Sequence, residues 1–126
     1  MPTQWAKLLD VGGVNREALP HLRIGVVATA PAPPELVRGV AERIGVPLVV
    51  RYAMTECPTI AGTEPTDAPE VQFRTVGRPA AGMDVRIGAD GIVEVNGPCV
   101  MRGYWRNPEL TGEVLVDGWL RTGDVG

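Results

Sequence analysis

Apolar positions along this 126-residue chain follow a helix-and-strand pattern up to about residue 75 and a strand pattern after it. Trp5 to Leu9 is a short amphipathic stretch, followed by a polar, Gly-containing loop to residue 21. Leu22 to Ala28 is an apolar, β-branched run that predicts a strand. Thr29-Ala30-Pro31-Ala32-Pro33-Pro34 breaks it, and Pro33 or Pro34 suits the first turn of a helix, where a missing N–H costs nothing. Leu36, Val37, Val40, Ala41 and Ile44 then fall on one helical face, with Glu35, Arg38, Glu42 and Arg43 largely elsewhere. Gly45 is a stop signal, with Pro47 close behind.

The apolar run from Val46 leads into a second strand, Pro47 to Arg51, which completes a βαβ unit with a right-handed crossover. That topology puts Ala28–Pro31 and Tyr52–Glu56 at the same, carboxyl end of the strands, the rim where open α/β sheets bind ligands. Residues 57–75 are rich in Pro, Thr and acid and read as a long loop over that rim. After Val76-Gly77-Arg78-Pro79, Met83–Ile87 and Ile92–Asn96 predict two strands turning at Ala89-Asp90-Gly91. Asn107-Pro108-Glu109 is a helix start with Asn as cap, and Asp117-Gly118 is a tight turn leading into Trp119–Asp124. The fold class expected is α/β: a βαβ unit of a parallel sheet over residues 1–75, then a small antiparallel β subdomain over residues 76–126.

Composition narrows the function more than the fold. A net charge of −3 gives no reason to expect nucleic acid as a partner. No apolar run approaches the roughly 20 residues that span a bilayer, and no charged start precedes an apolar core as in a signal peptide. A cytoplasmic location is expected. Cys57 and Cys99 lack the paired spacing of a zinc site and read as two reduced thiols. His21, the one histidine, is expected in a solvated loop. Of twelve cationic side chains only Lys7 is a lysine.

The chemistry that remains is carried by oxygen ligands. No G-x-x-x-x-G-K-[ST], G-x-G-x-x-G, G-x-S-x-G or H-E-x-x-H occurs. Thr55 and Glu56 close a buried strand with a hydroxyl that can donate to a phosphate oxygen and a carboxylate suited to magnesium. In Thr122-Gly123-Asp124 the Gly lets a ligand approach the backbone, and the carboxylate can accept from two vicinal ribose hydroxyls. Each has a bland reading beside it: Thr-Glu is ordinary loop chemistry, and Asp124 is a turn or capping residue.

Taken in order, these stretches resemble the adenylate-forming enzyme superfamily, which includes acyl-CoA synthetases, luciferases and the adenylation domains of peptide synthetases. The resemblance runs nearly end to end. It comprises Leu22-Arg23 with Ala28-Thr29-Ala30-Pro31, then Tyr52-Ala53-Met54-Thr55-Glu56, Val76-Gly77-Arg78-Pro79, Gly97–Trp105 and Asp117–Asp124. The Val-Met-x-Gly-Tyr-Trp and Asp-Gly-Trp wording is most similar to acyl-CoA synthetases. The resemblance implies that Ala28, Thr29, Ala30, Pro31, Tyr52, Ala53 and Met54 bind nucleotide. It makes Thr55 the α-phosphate contact, Glu56 the magnesium ligand, Thr55 and Glu56 the catalytic pair, and Asp124 the ribose contact on a loop. ATP and Mg2+ are the implied cofactors, coenzyme A the co-substrate, and a carboxylic acid, expected to be a fatty acid, the substrate.

Two departures stand out. Ala28-Thr29 and Ala53 replace the small Gly-type residues of the family, adding Cβ atoms where the backbone approaches ligand. Neither the family's Gly/Ser/Thr-rich phosphate loop with its Lys nor its later catalytic Lys is present, and Lys7 matches neither motif. One helix, moreover, covers only one face of two apolar strands, which predicts an exposed apolar patch. The chain is therefore expected to be the latter half of a large N-terminal domain, part of a larger adenylate-forming protein and inactive alone. The alternative expectation is a non-catalytic remnant or interaction module derived from that fold.

Overall fold

The computed structural model describes residues 1–126, which form α1 (Pro2–Asp10), β1 (Gly25–Val27), α2 (Pro34–Ile44), β2 (Leu48–Met54), β3 (Cys57–Gly62), α3 (Pro69–Arg74), β4 (Arg78–Pro79), β5 (Asp84–Ile87), β6 (Ile92–Asn96), α4 (Pro108–Val114), β7 (Leu115–Val116) and β8 (Trp119–Val125). One four-stranded sheet has the order β1-β2-β3-β4, the other β5-β6-β8-β7. The mixed α/β class with a small antiparallel sheet is the architecture expected. The chain divides into two compact units, Met1–Tyr52 with Ala61–Arg78, and Ala53–Ile60 with Pro79–Gly126.

The first unit is built on the βαβ pattern. β1 and β2 are parallel, with Gly25, Val26 and Val27 opposite Leu48, Val49 and Val50. The apolar face of α2 is buried through Leu36, Val37, Val40 and Ile44, and Gly45 ends the helix in the left-handed conformation, φ 75°. Val27, Val46, Leu48 and Val50 complete the core, and Trp5, Leu8, Leu9 and Phe73 pack against it. α1 and α3 therefore add to the cover that α2 alone was expected to give. Part of the expected patch persists, since Ile24 is 40% and Val26 51% exposed.

The structure differs from the sequence pattern in three places here. β1 is only three residues long, because it lies at the sheet edge and forms a ladder only where β2 faces it; Leu22, upstream, turns back to donate to the Leu19 carbonyl at 3.1 Å. β2 runs on past Arg51 to Met54, so Tyr52, Ala53 and Met54 belong to a strand and only Thr55-Glu56 form a turn. Residues 57–75 are not one long loop: a two-residue turn folds β3 back beside β2, and α3 follows. Pro58 and Gly62 hid that strand from a propensity reading, while Pro69 and Glu70 supplied a helix start that its short length obscured. β3 is tied in by burial of Thr63, whose Oγ1 accepts from the Val50 N–H at 2.8 Å while its own N–H donates to the Val50 carbonyl at 3.0 Å.

The second unit is the antiparallel sheet with its approach loops. β5 and β6 pair from Asp84 with Asn96 to Ile87 with Val93, around the turn expected at residues 89–91. Val93, Val95 and Leu120 are buried beneath it. On its surface Arg86 forms an ion pair with Glu94 at 2.7 Å, and its guanidinium stacks 3.9 Å from the centre of the Trp119 ring. Asp117 and Gly118, at φ 50° and 82°, make the tight β7–β8 turn, whose double positive φ matches the right-handed strand twist. Asn107 caps α4, accepting from the Leu110 N–H at 3.0 Å, as its sequence position predicted.

Candidate functional site

In the first unit, the ladder ends with Val27 opposite Val50, so Ala28 leaves β1 at the carboxyl edge that β2 continues through Arg51 and Tyr52. Ala28, Thr29, Ala30 and Pro31 thus follow β1 at the rim the topology predicted, and Thr29, Ala30 and Pro31 are exposed. Thr29 sits at φ 75°. That is left-handed backbone, which a β-branched residue rarely adopts and a glycine adopts without strain. An open groove of about 410 Å³ lies elsewhere, lined by Met1, Gln4, Trp5, Leu8 and Val26, and none of the candidate residues lines it.

In the second unit, Ala53 and Met54 end β2 and Thr55-Glu56 make the two-residue turn into β3. Thr55 is exposed and Glu56 half-buried. The turn is held from a segment distant in sequence. The Met101 N–H donates to the Glu56 carbonyl at 2.7 Å, and the Tyr104 phenol donates to Glu56 Oε1 at 2.8 Å. That hydrogen bond to the carboxylate pushes the Tyr104 phenol above its ordinary pKa, with desolvation and the Glu56 charge acting in the same direction. Tyr104 is held in turn by α4, since its N–H donates to Thr111 Oγ1 at 2.9 Å while that hydroxyl donates to the Asn107 carbonyl at 2.7 Å.

Asp124 lies on strand β8 and not on a loop as expected. The strand is irregular where it sits: Ile92 pairs with Val125 and Glu94 with Arg121, so a two-residue step on β6 faces a four-residue step on β8. The surplus is a bulge over Thr122-Gly123-Asp124, with Gly123 at φ 82°. Thr122 pins it, donating from Oγ1 to the Val93 carbonyl at 2.9 Å and accepting from the Asp124 N–H at 3.1 Å. Bulges of this kind re-aim a side chain out of a regular strand. Asp124 is exposed there.

Nowhere do three His, Cys, Asp or Glu side chains gather as a metal-holding group. A magnesium ion that keeps several waters and binds nucleotide phosphates needs only one or two protein carboxylates. Glu56 fits that role, because a carboxylate has about four lone-pair sites and the Tyr104 phenol occupies one. Tyr104 is the residue that sequence reasoning missed. It stood within Gly97–Trp105, but nothing in its spacing from Glu56, 48 positions earlier, indicated the contact. Gly103 carries a trace of it: at φ 147°, an added Cβ would lie 2.8 Å from Thr111 Cγ2.

A βαβ sheet with its loops at one rim, followed by a small antiparallel sheet with a bulged Asp strand, is the architecture of an adenylate-forming domain. A family model described as AMP-binding enzyme matches residues 1–105, and the chain belongs to that family. It is 36% identical to a mitochondrial medium-chain acyl-CoA ligase of Macaca fascicularis over 98% of this chain and 22% of that protein. It is 41% identical to an indoleacetate–CoA ligase of Aromatoleum aromaticum over 86% of this chain and 23% of that protein. Among solved structures, ATP-bound MatB from Rhodopseudomonas palustris superposes with a TM-score of 0.90 at 29% identity, covering 99% of this chain and 27% of that one. The amide bond synthetase McbA from Marinactinospora thermotolerans superposes with a TM-score of 0.90 at 39% identity, covering 99% and 28%. The chain thus spans between a fifth and a third of each of these relatives.

Proposed function

We propose that this chain is the nucleotide-handling segment of an ATP-dependent acid–thiol ligase. In that reaction a carboxylate oxygen attacks the α-phosphorus of ATP, the bond to pyrophosphate breaks, and the coenzyme A thiol then attacks the acyl carbon and releases AMP. Ala28–Pro31 and Tyr52, with Ala53 and Met54, bind the nucleotide. Thr55 donates to the α-phosphate, Glu56 holds magnesium and Asp124 accepts from the ribose. Magnesium, when bound, neutralises the charge that develops on phosphate oxygens. The observation that carries the reading is the Thr55-Glu56 turn, where a carboxylate-bearing residue is held by two hydrogen bonds from one distant segment, in a member of the AMP-binding enzyme family.

The acid is a fatty or other small carboxylic acid, in line with the medium-chain acyl-CoA ligase and indoleacetate–CoA ligase likenesses. The location is cytoplasmic, which suits two free thiols; no helix is long and apolar enough to cross a membrane. The chain contains no Gly-rich phosphate loop and no lysine other than Lys7, so the cations that face pyrophosphate come from other parts of the larger protein. Calorimetric titration with ATP and magnesium tests the nucleotide reading. Binding by the wild-type chain is expected to weaken about tenfold or more in Glu56→Gln, because a metal ligand is lost. Heat release indistinguishable between the two proteins would sink the assignment of Glu56. Acid- and coenzyme-dependent pyrophosphate release by the 126-residue chain alone would contradict its role as a segment.

The amide bond synthetase likeness, at 39% identity, favours a second reading in which an amine replaces the thiol as acceptor. The first step is unchanged. Supplying the larger protein with coenzyme A or with an amine, and identifying the acyl product by mass spectrometry, separates the two.

A further inference from the structure

The geometry points to Tyr104 as a positioning residue for the metal-holding carboxylate of Glu56. This inference rests on the reading of Glu56 above. Glu56 stands on a two-residue turn at the end of β2, and such a turn leaves its side chain several rotamers. One phenol removes most of that freedom by donating to Oε1 at 2.8 Å. The phenol has its own support, because the Tyr104 N–H is anchored on Thr111 Oγ1 and that hydroxyl on the Asn107 carbonyl at the capped start of α4. The Met101 N–H holds the backbone of the same turn from the same segment. Hydrogen bonds therefore tie a helix cap, through Tyr104, to one carboxylate oxygen, and the carboxylate keeps further lone pairs for a ligand.

An outer partner of this kind aims the ligand and keeps its proton away from the metal. A neutral tyrosine is well matched to that role, because it donates a hydrogen bond without adding a charge that competes with a cation. Partners of metal ligands typically carry 10- to 100-fold in metal affinity.

Manganese, which takes the same oxygen ligands as magnesium and is paramagnetic, supplies the probe. With ATP in excess, manganese is titrated into the full chain while the ring proton resonances of residue 104 are followed, those of Trp5, in the groove that no candidate residue lines, serving as internal comparison. Wild type is expected to broaden selectively, and Glu56→Gln to need at least about tenfold more manganese for the same effect. Tyr104→Phe, which keeps the ring, is expected to need about tenfold more manganese for half-broadening, with ATP affinity in chelator unchanged. Thr111→Val, which frees the Tyr104 backbone but leaves its hydroxyl, is expected to raise the midpoint less and keeps the question open to test should Tyr104→Phe fail to fold. An unchanged midpoint in Tyr104→Phe, or equal weakening of ATP with and without manganese, overturns the positioning role while the Glu56 reading stands. Absence of broadening in wild type, or an unchanged midpoint in Glu56→Gln, overturns the Glu56 reading itself.

Discussion

Thr29 is a β-branched residue in left-handed backbone, φ 75°, directly after β1. Left-handed conformation costs roughly 1–2 kcal/mol for an L-residue, whereas a glycine loses about 0.5–1 kcal/mol to unfolded-state freedom. Thr29→Gly should therefore raise stability, by up to about 1.5 kcal/mol on this balance. Thermal denaturation measures it, and a lowered midpoint would mean that the threonine side chain holds the turn. Cys57 has the opposite character, a residue wholly comfortable where it is. It is fully buried, and burial pushes its thiol above the ordinary range. Folding then retains a proton that the unfolded chain loses above about pH 8.5, so this group's contribution is present below that pH and fades as pH rises through the folded value. Iodoacetamide at pH 8 should accordingly modify Cys99 well before Cys57, as followed by peptide mass spectrometry. Equal rates would show that the strand carrying Cys57 opens readily.

Elements explain what single residues do not. β3 exists because Thr55-Glu56 turns the chain back onto β2, a decision made by pairing and not by the Pro- and Thr-rich residues of the strand. Gly77, at φ 79°, lets its segment lie against Gly62, where an added Cβ would fall on the Gly62 carbonyl. The bulge on β8 belongs to the same class of device, since its two surplus residues take Asp124 out of the regular ladder. Helix α4 is seven residues long with Gly112 inside it, too short to persist without its cap. Asn107→Ala should cost about 1 kcal/mol in urea denaturation and, through Thr111 and Tyr104, loosen Glu56. Unaltered stability would show that the cap bond contributes nothing in solution.

For the whole molecule, the chain is shared between units: it enters the second at Ala53, returns to the first at Ala61 and leaves it again after Arg78. The first unit buries an apolar core between α2 and its strands, yet leaves Val26 on its edge strand, and Ile24 just before it, exposed. Exposed apolar surface on an edge strand is a site of association. Val26→Thr preserves β propensity while adding a hydroxyl, so it should lower apolar-dye fluorescence and concentration-dependent self-association without loss of circular dichroism. Dye binding unaffected by the substitution would locate the accessible apolar surface elsewhere.

The sequence by itself determined the helices with strong stripes or caps, the parallel pairing across α2, both tight turns of the antiparallel sheet and the family, through stretches that recur in a set order. Those features depend on local period, proline geometry and glycine backbone freedom, all of which are readable residue by residue. Only the tertiary structure decided that β2 extends through Tyr52 to Met54, that residues 57–62 are a strand, that Asp124 rides a bulge and that Tyr104 holds Glu56. Each of these is a pairing between positions whose partners are chosen by packing and hydrogen-bond satisfaction. No local pattern encodes a contact between a phenol and a carboxylate 48 residues apart.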